Sequence, residues 1–228
     1  MDKVTFPFTI EGSPDYSLLS VKIPQGETLK VEAGGMVYMS PNLKLKTKIG
    51  GGFKRMLSGE SLFISEFSAP DLEGEIGIAP ALPGDIAHLN LNNETVFLQN
   101  SAYLASATTI DVDAKFQGFT KGFFSGEKLF LIKCSGNGDL WFNTYGALLE
   151  IEVDGNYVVD TGYIVGFTQG LDYEVQTLGG LRSFFFSGEG FVCKFSGKGK
   201  LWVQTRLEPA FVQWANAFRR VVKKDKSN

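Results

Sequence analysis

Histidine occurs once in this chain of 228 residues, at His88, and cysteine twice, at Cys134 and Cys193. One histidine without partners at a recognisable spacing excludes a Ser/His/Asp nucleophile set and a histidine metal triad. The two cysteines make no metal-binding spacing and stand in apolar, strand-like stretches, which reads as two buried reduced thiols. Long hydrophobic runs are missing as well. Nothing approaches the roughly 18 apolar residues of a membrane-spanning helix. Met1-Asp2-Lys3-Val4 shows no basic region leading into an apolar one, and no Arg/Ser-rich amphipathic presequence follows, so the expected location is cytoplasmic.

An excess of one charge is also lacking, with 22 basic and 25 acidic side chains and a net charge of −3. The balance is uneven. The last twelve residues carry Arg219, Arg220, Lys223, Lys224 and Lys226 against Asp225, a surplus of +4, which leaves −7 on the rest. An acidic body argues against a nucleic-acid groove, which needs clustered basic surface. At 43% hydrophobic and 21% charged, the chain has ordinary globular composition and ample material for a core.

What the chain does have is repetition. Ser58-Gly59-Glu60, Ser125-Gly126-Glu127 and Ser187-Gly188-Glu189 lie 67 and 62 residues apart (125 − 58 and 187 − 125). Each runs into an apolar segment: Leu62-Phe63-Ile64, Leu129-Phe130-Leu131-Ile132 and Phe191-Val192-Cys193. The flanks match too. Leu19–Ile23 aligns with His88–Leu91 and Leu149–Val153, and Met36–Met39 with Ala102–Ala105 and Tyr163–Gly166. Three such phrases at near-constant period indicate triplication, with units over about 16–82, 83–146 and 147–206. Short β-branched and aromatic runs between glycine-bearing turns predict an all-β module over 1–208. Ser135–Gly138 and Ser196–Gly199 are expected to be hairpin turns before Leu140-Trp141-Phe142 and Leu201-Trp202-Val203. A lone β unit of this size has open edges, so the three should cover one another around a pseudo-threefold axis. Residues 4–10, with Val4, Phe6, Phe8 and Ile10 alternating, predict a further strand.

Past Gln204-Thr205-Arg206 the period changes. Phe211, Trp214 and Phe218 fall on one helical face behind Pro209, predicting a helix over 209–222 within a C-terminal segment, 209–228, that ends in a basic tail. That face either docks on the β module or meets a partner chain; a membrane surface suits it less well.

Candidate sites are few. Glu60, Glu127 and Glu189 are the charged residues common to all three copies, and around a threefold axis their carboxylates would converge on a hard cation. The alternative is local, with each glutamate accepting backbone N–H bonds within its own turn. Gly50-Gly51-Gly52 before Lys54-Arg55 lacks the phosphate-loop spacing and reads as an exposed loop, whose Phe53, Met56 and Leu57 suit contact with another subunit. His88 falls on the parity of Ser20 and Glu150, which predicts an outward, solvated position with no partner. Trp141 and Trp202 occupy equivalent positions, filled by Gly77 in the first copy, and read as packing. No catalytic constellation, metal site or cofactor motif is visible. The expectation is a non-enzymatic scaffold that forms a homo-oligomer or binds a protein partner; the alternative is a small-ligand or cation module using the acidic turns or an inter-repeat cleft.

The stretch Gly50-Gly51-Gly52-Phe53-Lys54-Arg55-Met56-Leu57-Ser58-Gly59-Glu60-Ser61-Leu62-Phe63 carries a resemblance. With Pro83-Gly84-Asp85-Ile86, Tyr145-Gly146-Ala147-Leu148 and Gln204-Thr205-Arg206, the chain resembles the mitochondrial biogenesis protein 24-like family over about 5–206. The resemblance implies β-sandwich-like units similar to the fold of the tryptophan RNA-binding attenuation protein, and it implies no activity. It also marks two departures: Tyr163 stands where members often carry histidine, and Lys128 where they often carry glycine.

Overall fold

The computed structural model describes residues 4–48, 63–113, 131–177 and 191–219. The protein is predominantly β, with one short C-terminal helix. The strands are β1 (Phe8–Glu11), β2 (Leu18–Ile23), β3 (Thr28–Glu32), β4 (Met36–Met39), β5 (Lys44–Lys48), β6 (Ile64–Ser68), β7 (Gly74–Ile78), β8 (Ile86–Gln99), β9 (Tyr103–Ala107), β10 (Ile110–Asp113), β11 (Leu131–Asn143), β12 (Leu148–Asp160), β13 (Ile164–Thr168), β14 (Leu171–Thr177) and β15 (Phe191–Gln204). The helix, α1, spans Glu208–Asn216.

Among the described residues the strands form two sheets. A four-stranded sheet runs β1-β2-β7-β4, and an eleven-stranded sheet has the path β12-β15-β13-β8-β11-β9-β3-β6-β5, with β10 on β11 and β14 on β15. The described strand pairs within these sheets are all antiparallel. Alternation of large apolar and polar residues drives this, because strand side chains point to opposite faces in turn. In β2, Leu19, Val21 and Ile23 are wholly buried while Lys22 is exposed.

Two long antiparallel pairs dominate. β8 lies along β11 from Gln99↔Leu131 to Ile86↔Asn143, and β12 lies along β15 from Asp160↔Val192 to Leu148↔Gln204. Here the structure corrects the expected hairpins. Ser135–Gly138 and Ser196–Gly199 do not reverse the chain; β11 and β15 pass straight through them. Gly136 and Gly138 adopt φ of 140° and 136°, and the register with β8 shifts between Gly136 and Asn137. Glycines in that region make a bulge that bends a strand without ending it. The bend lets β11 pair β10 through its first half and β9 through its second, as β15 pairs β14 and β13. In the first part of the chain the corresponding strands are broken, into β2 and β3 on one side and β6 and β7 on the other, pairing as β2–β7 and β3–β6.

Further links join these groups. β9 pairs β3 (Ala105↔Val31, Ser106↔Lys30, Ala107↔Leu29), and β13 pairs β8 (Gly166↔Leu98, Phe167↔Phe97, Thr168↔Val96). The main core gathers Leu19, Val21, Leu29, Leu98, Tyr103, Leu140, Trp141 and Phe142, and a second cluster packs Ile164, Phe167, Phe195 and Leu201. Of the predicted strand over 4–10, only Phe8–Glu11 is a regular strand; Val4 makes one isolated parallel bridge to Gly138.

α1 begins with Pro209 in its first turn, where a missing N–H costs nothing, and ends at Asn216, six residues short of the expected end. Ala217 N–H caps it by bonding back to the carbonyls of Trp214 and Ala215. No described helix is long and apolar enough to cross a membrane.

Candidate functional site

Glu60, Glu127 and Glu189 lie outside the described residues, as do Phe53, Met56, Leu57, Lys128 and the tail over 220–228. Among the described residues no group of three or more His, Cys, Asp or Glu side chains could hold a metal ion. Among the described residues the structure offers instead a buried polar cluster, three carboxyls with altered proton affinity, and three exposed apolar surfaces.

The polar cluster is the correction to His88. Its ring is three-quarters covered, with 25% of the side chain exposed, and its Nε2 lies 2.9 Å from Oδ1 of Asp139, which is 3% exposed. The ring sits between Phe8 and Trp141, at centroid distances of 4.5 and 5.3 Å. Outward parity along β8 is real, but β1 and the segment before it fold over this face and make it interior. Asp139 also accepts bonds from Asn90 Nδ2 at 2.6 Å and from the Phe6 N–H at 2.8 Å. Burial alone would raise this carboxyl; the bonds from His88, Phe6 and Asn90 outweigh it and hold the group below its ordinary value. Asp139 is thus an ionised anchor that ties the N-terminal segment to β8 and β11. An ionised carboxylate is an acceptor only, so His88 donates through Nε2.

Trp141 and Trp202 are buried, as expected of packing residues. Trp202 Nε1–H donates to Glu150 Oε2 at 2.8 Å, and Lys200 Nζ bonds Glu150 Oε1 at 2.6 Å. These bonds lower the Glu150 carboxyl. Opposite each tryptophan on the neighbouring strand stands a small residue, Ala105 for Trp141 and Gly166 for Trp202. In the first part of the chain the sizes are exchanged. Tyr38 faces Gly77, a Cβ on Gly77 would collide with the Tyr38 ring, and the Tyr38 hydroxyl bonds Ser20 and Glu75.

Glu32, at the end of β3, was not singled out by the sequence. Burial pushes its carboxyl up to about 7. It stands near the buried Tyr103, whose hydroxyl bonds Ser106 at 2.9 Å.

The exposed apolar surfaces are the largest features. All four residues of β4 are exposed: Met36 41%, Val37 58%, Tyr38 41% and Met39 38%. On β12, Leu149, Tyr157 and Val158 are 52%, 41% and 48% exposed. Among the described residues β4 pairs only β7 and β12 only β15, so each leaves one strand edge open. α1 is the third. Phe211, Trp214 and Phe218 form a row of rings spaced 6.0 and 5.2 Å apart, with Trp214 62% and Phe218 72% exposed. Among the described residues Phe211 alone of the three makes a ring contact with the β body, edge-on against Tyr145 at 6.4 Å.

Comparison with known proteins fits this picture. The family model described as mitochondrial biogenesis AIM24 matches residues 8–206. The chain is 30% identical over 211 residues to an uncharacterised protein of Streptococcus pyogenes serotype M6, covering 87% of this chain and 85% of that protein. It is also similar to the crystal structure of a Streptococcus pyogenes protein, with a TM-score of 0.78 and 27% identity over 94% of this chain and all of that one. The sequence motifs, the strand framework and these matches agree that the chain belongs to the mitochondrial biogenesis AIM24 family.

Proposed function

We infer that the protein is a non-enzymatic β scaffold, working in the cytoplasm by self-assembly or by holding a protein partner. In this reading the chain is three copies of one β-sandwich-like unit, similar to the tryptophan RNA-binding attenuation protein fold and related by a pseudo-threefold arrangement. The recurring strand pairs support the copies: β8 with β11, β12 with β15, and the split pairs β2–β7 and β3–β6. The two free, buried thiols Cys134 and Cys193 fit a reducing compartment.

The observation that carries the scaffold reading is the exposed run Met36-Val37-Tyr38-Met39. A strand that shows apolar side chains on both faces and keeps an unpaired edge is a surface built to be covered, since such edges otherwise invite aggregation. The aromatic row on α1 adds a second such surface.

Native mass spectrometry of gently purified protein tests this. The expected spectrum shows a stable oligomer, or a complex with protein, and no stoichiometric small molecule. A clean monomer carrying one metabolite or metal per chain would overturn the reading in favour of a ligand-binding module.

A further inference from the structure

The two open edges have sealed counterparts inside the same molecule. Tyr38 faces Gly77 across β4 and β7, Ala105 faces Trp141 across β9 and β11, and Gly166 faces Trp202 across β13 and β15. β4, β9 and β13 therefore occupy the same place in their units. On the other side, Val31 faces Ser65, Leu98 faces Ile132 and Val159 faces Cys193, so β3 and the second halves of β8 and β12 are also equivalent.

Two of the three possible junctions between these sets are made. β9 docks on β3, with Ala105↔Val31 and Ala107↔Leu29; β13 docks on β8, with Gly166↔Leu98 and Thr168↔Val96. At these seams the side chains are buried: Leu29, Val31, Leu98, Ala105 and Ala107 are 0% exposed and Phe167 1%. The third junction, β4 with the second half of β12, does not form among the described residues. The side chains it would cover are the exposed ones: Tyr38 at 41%, Met39 at 38%, Tyr157 at 41% and Val158 at 48%.

We propose, building on the scaffold reading, that β4 of one molecule pairs antiparallel with the second half of β12 of another copy of the same chain. The contact between molecules repeats the seam that the chain uses twice within itself. The internal seams fix its register: Tyr38 opposite Val159, Met39 opposite Val158 and Ser40 opposite Tyr157. The side-chain chemistry suits that register. Phe167 stacks against Phe97 at 5.2 Å in the β13–β8 seam, and Met39 against Val158 is the corresponding apolar pair. Backbone bonds supply affinity in such strand addition, and the apolar pairs set the register. The contact is heterologous, since each molecule offers two different edges. It therefore builds a closed ring, or a filament if the rotation does not close.

Mixed disulfide trapping tests the register and the partner together. Met39→Cys and Val158→Cys are made separately in the full chain, one tagged, co-expressed, purified together and treated with a mild thiol oxidant. Ser40→Cys with Tyr157→Cys provides a second pair, because directly opposed strand residues alternate between closer and wider spacing. The native thiols stay silent, being buried and pushed up to about 12. The expected result is a disulfide-linked dimer from at least one mixed pair, none from either single variant alone, and a covalent series of oligomers from the chain bearing both cysteines. Two outcomes overturn the proposal: a self-linked dimer of one single variant, which means a like-to-like contact, or an intrachain disulfide in the double variant, which means the edges close within one molecule. Absence of any disulfide also overturns it, and native mass then separates the two claims. An oligomer without trapping leaves the scaffold and refutes these edges, whereas a monomer without partner refutes both.

Discussion

The seam between β8 and β13 and the edge of β4 are built from matching strand positions, yet one is dry and the other open. At the seam, Phe167 is 1% exposed and Leu98 0%; on β4, Met39 is 38% exposed and Val37 58%. The composition does not explain the contrast, because Met36-Val37-Tyr38-Met39 is as apolar as Ile164-Val165-Gly166-Phe167. Position in the chain does. β9 meets β3 and β13 meets β8, whereas among the described residues β4 and β12 each keep one edge without a neighbour. Under the three-copy reading proposed above, an array of units that cover one another's edges ends in two complementary edges unless it closes.

Substitutions can break that contrast. The largest effect is expected inside the sealed region. Phe167→Ala removes a ring packed on Phe97, Tyr173 and Phe195 and should cost about 3–5 kcal/mol in denaturant unfolding. The Asp139 anchor comes next. Asp139→Ala strands the Phe6 N–H, His88 and Asn90 donors, an expected loss of about 3 kcal/mol at pH 7. Because the folded carboxyl is held low, its contribution is present above the ordinary carboxylate value and disappears as pH falls through the lowered one. The wild type should therefore lose stability in acid more steeply than the variant, and parallel acid titrations would refute that role.

Glu32 has the opposite sign. Its folded carboxyl is raised to about 7, so folding favours the protonated form, and that advantage is lost as pH rises from the ordinary carboxylate value through about 7. Glu32→Gln should raise stability above neutral pH by up to about 3 kcal/mol and leave it nearly unchanged near pH 4. The smallest effect belongs to the open edge. In dilute protein Met39→Lys should move unfolding by less than about 0.5 kcal/mol, while weakening self-association at least tenfold by light scattering. A loss of stability like that of Phe167→Ala would mean that β4 is already covered within its own chain.

Much of this was readable from residues alone. The alternating Leu19, Val21 and Ile23, the Trp141 and Trp202 positions and the placing of Pro209 in the first turn of α1 all follow from local period and turn chemistry. The long strands were not, because Gly136 and Gly138 serve a bulge as readily as a turn, and the choice depends on the partner strand. β5 was missed, since Lys-Leu-Lys-Thr-Lys resembles an exposed loop until β6 pairs it. His88 and Glu32 were misjudged or unnoticed for the same reason. Their surroundings come from β1 and from β9, segments distant in the chain, and no spacing within β8 or β3 encodes them.

The central claim is that β4 and the second half of β12 are covered when molecules meet. Amide hydrogen exchange reads it directly, at Val37–Met39 and Tyr157–Val159, over a series of protein concentrations. The account predicts that both segments exchange quickly in dilute protein and become protected together as concentration rises, with β9 and β13 protected throughout. Exchange in β4 and β12 that stays fast at every concentration, or changes in only one of the two, would contradict it.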